Sequence, residues 1–145
     1  MHTVLGVEEM KIMVCHDGSK RAQDSLARAV ELFRPLKPLI LLMTVVEAPL
    51  DASSTNEESF RRLCEKREDD LKTIGSWVVD QGLEADVIIA VGDPRKMILE
   101  AMKSKSPDLL VVAKRGGGLL DEMVLGSVSA YLIRHATCPV LVMHC

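Results

Sequence analysis

Short apolar segments alternate with amphipathic segments along almost the whole of this 145-residue chain, and no other feature constrains its fold as strongly. The clearest apolar segment is Leu39–Val46, which is interrupted only by Thr44 and is typical of a strand covered on both faces. Further strands are predicted at residues 11–16, 85–91, 109–113 and 139–143. Strands that alternate with helices indicate a parallel sheet with helices on both faces. We therefore predict a single-domain α/β fold with an open five-stranded parallel sheet.

Four helices are predicted between these strands, because apolar residues recur there at spacings of three and four. The first covers residues 22–33. The second, at residues 57–81, carries its charges mostly outside its apolar face, which is typical of a solvated surface rather than a binding patch. Asp93 and Pro94 mark the start of the third helix as cap and first-turn residue. The fourth is predicted at Ser127–His135.

Composition excludes several functional classes. A net charge of −3 and an aromatic content of 3% favour neither phosphate-backbone contacts nor base stacking, so no nucleic-acid partner is expected. The longest apolar segment is far shorter than the roughly 20 residues that cross a bilayer, and residues 1–10 lack a signal-peptide layout. We therefore expect a cytoplasmic protein with no membrane contact. Residues 1–10 are predicted to be an extension to a domain of residues 11–145, and residues 47–56 a loop.

The four cysteines, Cys15, Cys64, Cys138 and Cys145, are scattered along the chain. They have neither the close pairing of a zinc motif nor the density of a disulfide scaffold. Neighbouring histidines do not complete four ligands at a recognised spacing, so we expect reduced thiols and no structural metal.

Two loops lie where a sheet of strand order 3-2-1-4-5 binds ligands, beyond the carboxyl ends of neighbouring strands at which the order reverses. The first is Asp17-Gly18-Ser19, after the first strand. The second follows the fourth strand and carries Gly116, Gly117 and Gly118, where backbone amides can approach an anion with no Cβ in the way.

Gly126 and Ser127 end this second loop and begin a helix. The free amides and the dipole of a helix start favour phosphate, and the hydroxyls of Ser127 and Ser129 add donors. Spacing alone leaves an ordinary interpretation open, because glycine clusters form turns, Ser127 is a common N-cap residue and Asp17-Gly18 is a common turn. Neither the P-loop nor the Rossmann dinucleotide fingerprint is present.

The segment AKRGGGLLDEMVLGSVSAYLIRHATCPVLV, residues 113–142, resembles the C-terminal block of the universal stress protein family. The resemblance extends over residues 11–143. ATP-binding members share the pattern Gly, two residues, Gly, nine residues, then Gly-Ser or Gly-Thr. Gly116 and Gly126-Ser127 match it, whereas Ala113 stands in place of the first glycine. Alanine is a mild change there if its φ is negative, and a costly one if the position needs φ above zero.

The resemblance implies a Rossmann-like fold of the adenine nucleotide alpha hydrolase-like type and an ATP site, with ADP or AMP as alternative ligands. It implies that Asp17 meets the adenosine moiety, that Val45 packs on the adenine and that Cys15 lines the base pocket. Asp17 would hold Mg²⁺ weakly through the phosphates. The remaining implied site residues are Ala113, Lys114, Arg115, Gly116, Gly117, Gly126, Ser127, Val128 and Ser129.

The resemblance also implies a regulatory role, in which a nucleotide-responsive homodimer acts on an unidentified protein partner in stress or metabolic adaptation. The dimer would form along Val140–Met143, an apolar segment that would otherwise be an open sheet edge. Two alternatives stay open. An interaction module that has lost nucleotide binding has only Ala113 as support. A slow ATP hydrolase or phosphotransferase would need a general base, and no catalytic residue is identified.

Overall fold

A computed structural model describes residues 3–4, 7–47, 57–114 and 126–144 of the chain. Its strands are β1 (Thr3–Val4), β2 (Val7–Glu8), β3 (Lys11–Cys15), β4 (Leu39–Val46), β5 (Glu84–Val91), β6 (Leu109–Ala113) and β7 (Val140–Met143). Strands β3 to β7 form one sheet in the order β5-β4-β3-β6-β7, with every pairing parallel. Counted from β3 as the first strand, this order is 3-2-1-4-5, and the predicted fold class is confirmed.

The helices are α1 (Lys20–Phe33), α2 (Glu57–Asp80), α3 (Pro94–Lys105) and α4 (Ser127–His135), with a 3₁₀ turn at Arg34–Leu36. Helix α1 begins where the Ser19 hydroxyl accepts a hydrogen bond from the Ala22 amide at 3.1 Å. Helix α3 begins in the same way, with the Asp93 carboxylate accepting from the Arg95 amide at 3.0 Å. Both caps satisfy amides that the helix itself leaves free. No helix within the described ranges is both long and apolar enough to span a bilayer.

The sheet separates two hydrophobic cores, because successive side chains of each strand point to opposite faces. The first core lies between the sheet and helices α1 and α2, where Ile40 and Leu42 of β4 are fully buried. The second lies between the sheet and helices α3 and α4, where Leu41 and Met43 of the same strand are buried. Burial on both faces thus explains why β4 is apolar at every position except Thr44.

The structure differs from the sequence prediction mainly at the N-terminus. Strands β1 and β2 pair antiparallel, with Thr3 opposite Glu8 and Val4 opposite Val7, in the segment predicted to be an aperiodic extension. Strands of two residues are too short to show periodicity. Four other boundaries differ by a single residue: β3 ends at Cys15, α2 ends at Asp80, β5 begins at Glu84 and β7 begins at Val140. Helix α1 begins at Lys20, two residues before its predicted start. Apart from residue 47, the loop predicted at 47–56 lies outside the described residues, as does the glycine loop at 116–118.

Candidate functional site

Three hydrogen bonds involving side chains hold the turn after β3. The Ser19 amide donates to the Asp17 carboxylate at 2.9 Å, and the Gly18 amide donates to Nδ1 of His16 at 3.0 Å. Gly18 has φ +86°, a conformation that favours glycine. Nε2 of His16 lies 3.1 Å from the Gln23 side-chain oxygen, and His16 is only 4% exposed. The turn that carries Asp17 is therefore anchored to both β3 and α1.

Burial and these hydrogen bonds together set the charge states of His16 and Asp17. Because Nδ1 of His16 accepts from an amide, we infer that Nε2 carries the proton and donates to Gln23. Burial lowers the pKa of His16 by more than the Gln23 bond and the Asp17 charge raise it, so the imidazole favours its neutral form. Burial would raise the pKa of the Asp17 carboxyl, but hydrogen bonds from Ser19 and the nearby His16 hold it below its ordinary value. Asp17 is therefore an ionised acceptor at neutral pH.

The exit of β6 lies next to this turn. Strand β6 pairs with β3, with Val111 opposite Val14, so the carboxyl ends of the two strands meet at one edge of the sheet. Nη1 of Arg21, in the first turn of α1, is 3.5 Å from the Lys114 carbonyl oxygen. The Asp17 turn and the start of the glycine loop are thus neighbours, as the strand order requires.

Ala113 is the last residue of β6 and pairs with Met143 of β7. Within the described ranges, the non-glycine residues with positive φ are Lys37 and Ser106, so Ala113 has the extended backbone of a strand. The departure from the family's first glycine therefore creates no backbone strain.

The start of α4 differs from the starts of α1 and α3. Its N-cap is Gly126, which has no side chain to accept from the first amides. Ser127 is consequently the first helical residue, and the ordinary interpretation of Ser127 as the N-cap is wrong. Its side chain is exposed, whereas Ser129, one half-turn further on, is 7% exposed. The first turn of α4 thus presents amides without a side-chain cap.

Cys15 and Val45, the residues predicted to meet the base, lie on the same side of the sheet as the predicted site residue Val128. Cys15, Val45 and Val128 are partly buried and pack against the core on the α3 and α4 side. Burial raises the pKa of the Cys15 thiol to about 12, so this side chain is a neutral, weakly polar wall. Arg115, Gly116 and Gly117 lie outside the described residues.

A cleft of about 240 Å³ lies on the other face of the sheet, between the ends of β3 and β4 and helix α2. We call it the β4–α2 cleft; its walls include Asp17, Thr44, Arg67, Leu71 and Ile74. The sequence pattern does not predict this cleft, because the charges of α2 are typical of a solvated surface. The available signal was Thr44, a polar residue in an otherwise apolar strand. In the part of the chain that the structure describes, no cluster of three potential metal ligands occurs.

Comparisons with known proteins agree with this architecture. A model of the Universal stress protein family matches residues 10–144. Universal stress protein YxiE of Bacillus subtilis is 31% identical over 143 residues, which cover 91% of this chain and 97% of that protein. The solved structure of hypothetical protein MJ0577 has a TM-score of 0.83 at 27% identity, covering 96% of this chain and 98% of that one. A universal stress protein family protein from Arabidopsis thaliana, solved with AMP bound, has a TM-score of 0.68 at 25% identity and covers 92% and 91% of the two chains.

Proposed function

This chain belongs to the universal stress protein family, and from that premise we propose that it is a regulatory protein that binds an adenine nucleotide where β3 and β6 end. The observation that carries the proposal is the uncapped start of α4, at the end of the loop that leaves β6 beside the Asp17 turn. A phosphate there would supply the acceptors that Gly126 lacks. The AMP bound to the Arabidopsis relative supports the same class of ligand.

The phosphate end of the proposed site consists of the first turn of α4. Amides at a helix start and the positive end of the helix dipole both favour anions, and α4 has nine residues over which the dipole adds up. The exposed Ser127 hydroxyl is a further donor, while Gly126 lets the backbone approach closely. Ala113 and Lys114 would border the phosphates at the end of β6, and the glycine loop would complete the cradle.

The adenosine end consists of the Asp17 turn and the apolar face beside it. An ionised Asp17 can accept hydrogen bonds from ribose hydroxyls, and its carboxylate is already oriented by the Ser19 amide. Cys15, Val45 and Val128 offer an apolar surface on which a base can pack. We propose ATP as the ligand, with ADP and AMP as alternatives and Mg²⁺ carried by the phosphates near Asp17.

We also propose that the protein acts as a homodimer that responds to nucleotide in stress or metabolic adaptation. Strand β7 is one edge of the sheet, and Val140, Leu141 and Val142 are only partly buried. Pairing with β7 of a second copy would satisfy the open edge and cover this apolar surface. Sedimentation at micromolar concentration should give twice the 16.0 kDa of one chain, and a 16.0 kDa species alone would contradict the dimer.

The extended backbone of Ala113 removes strain as a reason for lost nucleotide binding, so we do not favour the interaction-module alternative. Nucleotide turnover stays an outcome of the experiment rather than part of the proposal, because no side chain has been assigned as a general base.

The experiment is to denature the purified protein, identify any released nucleotide, and titrate the nucleotide-free protein with ATP, ADP and AMP by calorimetry. Binding should be saturable for at least one of the three, and Gly126→Val should abolish it by placing a branched side chain at the anion site. Arg62→Gln, which alters an exposed ion pair on α2, is the matched control that should bind normally. No binding of any of the three at millimolar concentration would refute the proposal.

A further inference from the structure

The β4–α2 cleft adjoins the proposed nucleotide site at Asp17, but it lies on the opposite face of the sheet from the apolar surface proposed for the base. Successive residues of a strand point to opposite faces. Val45 packs in the core beside α3 and α4, whereas its neighbour Thr44 lines the cleft beside α2. A ligand in the cleft would therefore contact Thr44 and side chains of α2 that the nucleotide proposal leaves unused, whereas Asp17 borders both sites.

The Thr44 hydroxyl is the first indication that the cleft is built to hold a ligand. Thr44 is 4% exposed, and its hydroxyl has no hydrogen-bond partner among residues 7–47, 57–114 and 126–144. Among the described residues, the Ser25 hydroxyl is the one that is fully enclosed without a partner, so the Thr44 hydroxyl is accessible from the cleft. A polar group in the cleft would supply the missing partner.

Arg67 is the second indication, and it is independent of the first. The other basic side chains of α2 each pair with a carboxylate on the same helix; they are Arg61, Arg62, Lys66 and Lys72. Arg67 instead reaches across the cleft, where its Nη1 donates to the Asp17 carbonyl oxygen at 3.3 Å. No carboxylate in the described part of the chain forms an ion pair with it. Its remaining N–H groups are free to bind an anion in the paired geometry that guanidinium favours.

The carboxylates of the cleft do not cancel this charge by direct contact. Asp70 pairs with Lys66 at 2.9 Å, and the Asp17 carboxylate is oriented to the Ser19 amide. The other wall is apolar, with Leu71 buried and Ile74 partly buried. The cleft thus combines one unpaired cation, one unpaired hydroxyl and an aliphatic wall.

We propose that the β4–α2 cleft binds a small organic anion, with its carboxylate or phosphate on the Arg67 guanidinium and a polar group on the Thr44 hydroxyl. The aliphatic part of the ligand lies against Leu71 and Ile74. A volume of about 240 Å³ suits a compound of a few carbons. Because Arg67 also bonds the Asp17 carbonyl, occupancy of the cleft would act on the turn that carries Asp17.

The test uses malate and glycerol 3-phosphate as probes, with methyl and amide NMR signals of the full chain as the readout. Each probe is titrated at constant ionic strength, with sodium chloride and inorganic phosphate as reference anions. At least one probe should shift the Thr44 and Ile74 methyl signals in a saturable way, and the preferred probe shows whether the group bound is a carboxylate or a phosphate. Arg67→Gln and Thr44→Val should each weaken that probe about tenfold.

Two control variants show whether probe binding is specific to the cleft. Arg61→Gln removes a cation of the same helix that is already paired with Glu58 and Glu65, and it should leave the affinity unchanged. Gly126→Val should leave probe binding intact even if it abolishes nucleotide binding, so the two proposals can fail separately.

Three results would overturn the proposal. One is the absence of any saturable shift below about 20 mM probe, a concentration that corresponds to negligible affinity. Another is equal weakening by Arg61→Gln and Arg67→Gln, or equal shifts with the reference anions, which would indicate unspecific charge binding. The third is direct competition, in which saturating AMP abolishes the probe-induced shifts and Gly126→Val restores them, because the cleft would then be part of the nucleotide site.

Discussion

Ser127→Glu should raise the stability of the unliganded protein while it abolishes nucleotide binding. Ser127 is exposed and is the first residue of α4, so a longer side chain meets no packed neighbour in the described structure. A carboxylate in the first turn of a helix is stabilised by the dipole by about 0.3–1 kcal/mol. For a chain of this size, that corresponds to a rise in melting temperature of about 1–4 °C.

The same carboxylate would repel a phosphate bound at the start of α4. With an effective dielectric constant of about 20 and charges about 5 Å apart, the repulsion is about 3 kcal/mol for each phosphate charge. That is a loss of more than about 100-fold in affinity. The opposite signs of the two effects matter, because a variant that merely misfolds would lose stability and binding together.

The assay combines thermal unfolding with calorimetric titration of ATP and AMP. Ser127→Gln is the matched control, since it has nearly the same shape and no charge. It should leave binding within about a factor of a few of the original protein, because one hydroxyl donor contributes about 1 kcal/mol. Two findings would refute the reasoning: undiminished nucleotide affinity in Ser127→Glu, or equal losses in the Glu and Gln variants.

Three further predictions concern the fold. Ser25→Ala should raise the unfolding free energy by about 1 kcal/mol, because the Ser25 hydroxyl is buried without a partner; Ser76→Ala, at an exposed and satisfied hydroxyl, is the control, and a loss of stability in Ser25→Ala would contradict the prediction. Gly92→Ala should lower the midpoint of urea unfolding by an amount equivalent to about 1–3 kcal/mol, since Gly92 has φ +147° and an added Cβ would lie 3.2 Å from Met97; an unchanged midpoint would show that the segment relaxes freely. Burial lowers the pKa of His16, so the neutral imidazole should contribute fully to stability above its ordinary pKa of about 6.5, and this contribution should be lost as the pH falls through the lower pKa of the folded state. Urea unfolding at a series of pH values should show an unfolding free energy that falls with pH, and His16→Gln should reduce this dependence. An equal pH dependence in both proteins would refute this role.

The sheet could be predicted from the sequence because its strands are buried on both faces. Leu39–Val46 and Leu109–Ala113 are predicted with the observed bounds, since an apolar run ends where burial ends. Asp93 and Pro94 likewise mark the start of α3 through local chemistry alone. The β1–β2 pair could not be predicted, because its two-residue strands depend on each other rather than on a periodic pattern.

The site was predictable only where a single loop carries it. The Asp17 turn directly precedes α1, and Gly126 directly precedes α4. A few neighbouring residues are therefore enough to predict a turn or a helix start there. The β4–α2 cleft is different, because Thr44 and Arg67 meet only after α2 folds back onto β4. The neutral state of His16 cannot be predicted from the sequence either, since it depends on the burial of the imidazole in the folded chain.

A motif can retain glycine for two reasons: the backbone dihedral angle requires it, or a ligand lies too close for a side chain. The extended backbone of Ala113 excludes the first reason at that position. At Gly92 the dihedral angle itself selects glycine, so replacement there is penalised in every member of this fold that keeps the same bend. At Ala113 the dihedral angle does not require glycine, so only a closely bound ligand could require it there. A search pattern that insists on glycine at this position therefore rejects chains for a requirement that their backbone does not have. Homologues with alanine there and Gly-Ser at the start of α4 should be screened for nucleotide binding alongside those with the full pattern.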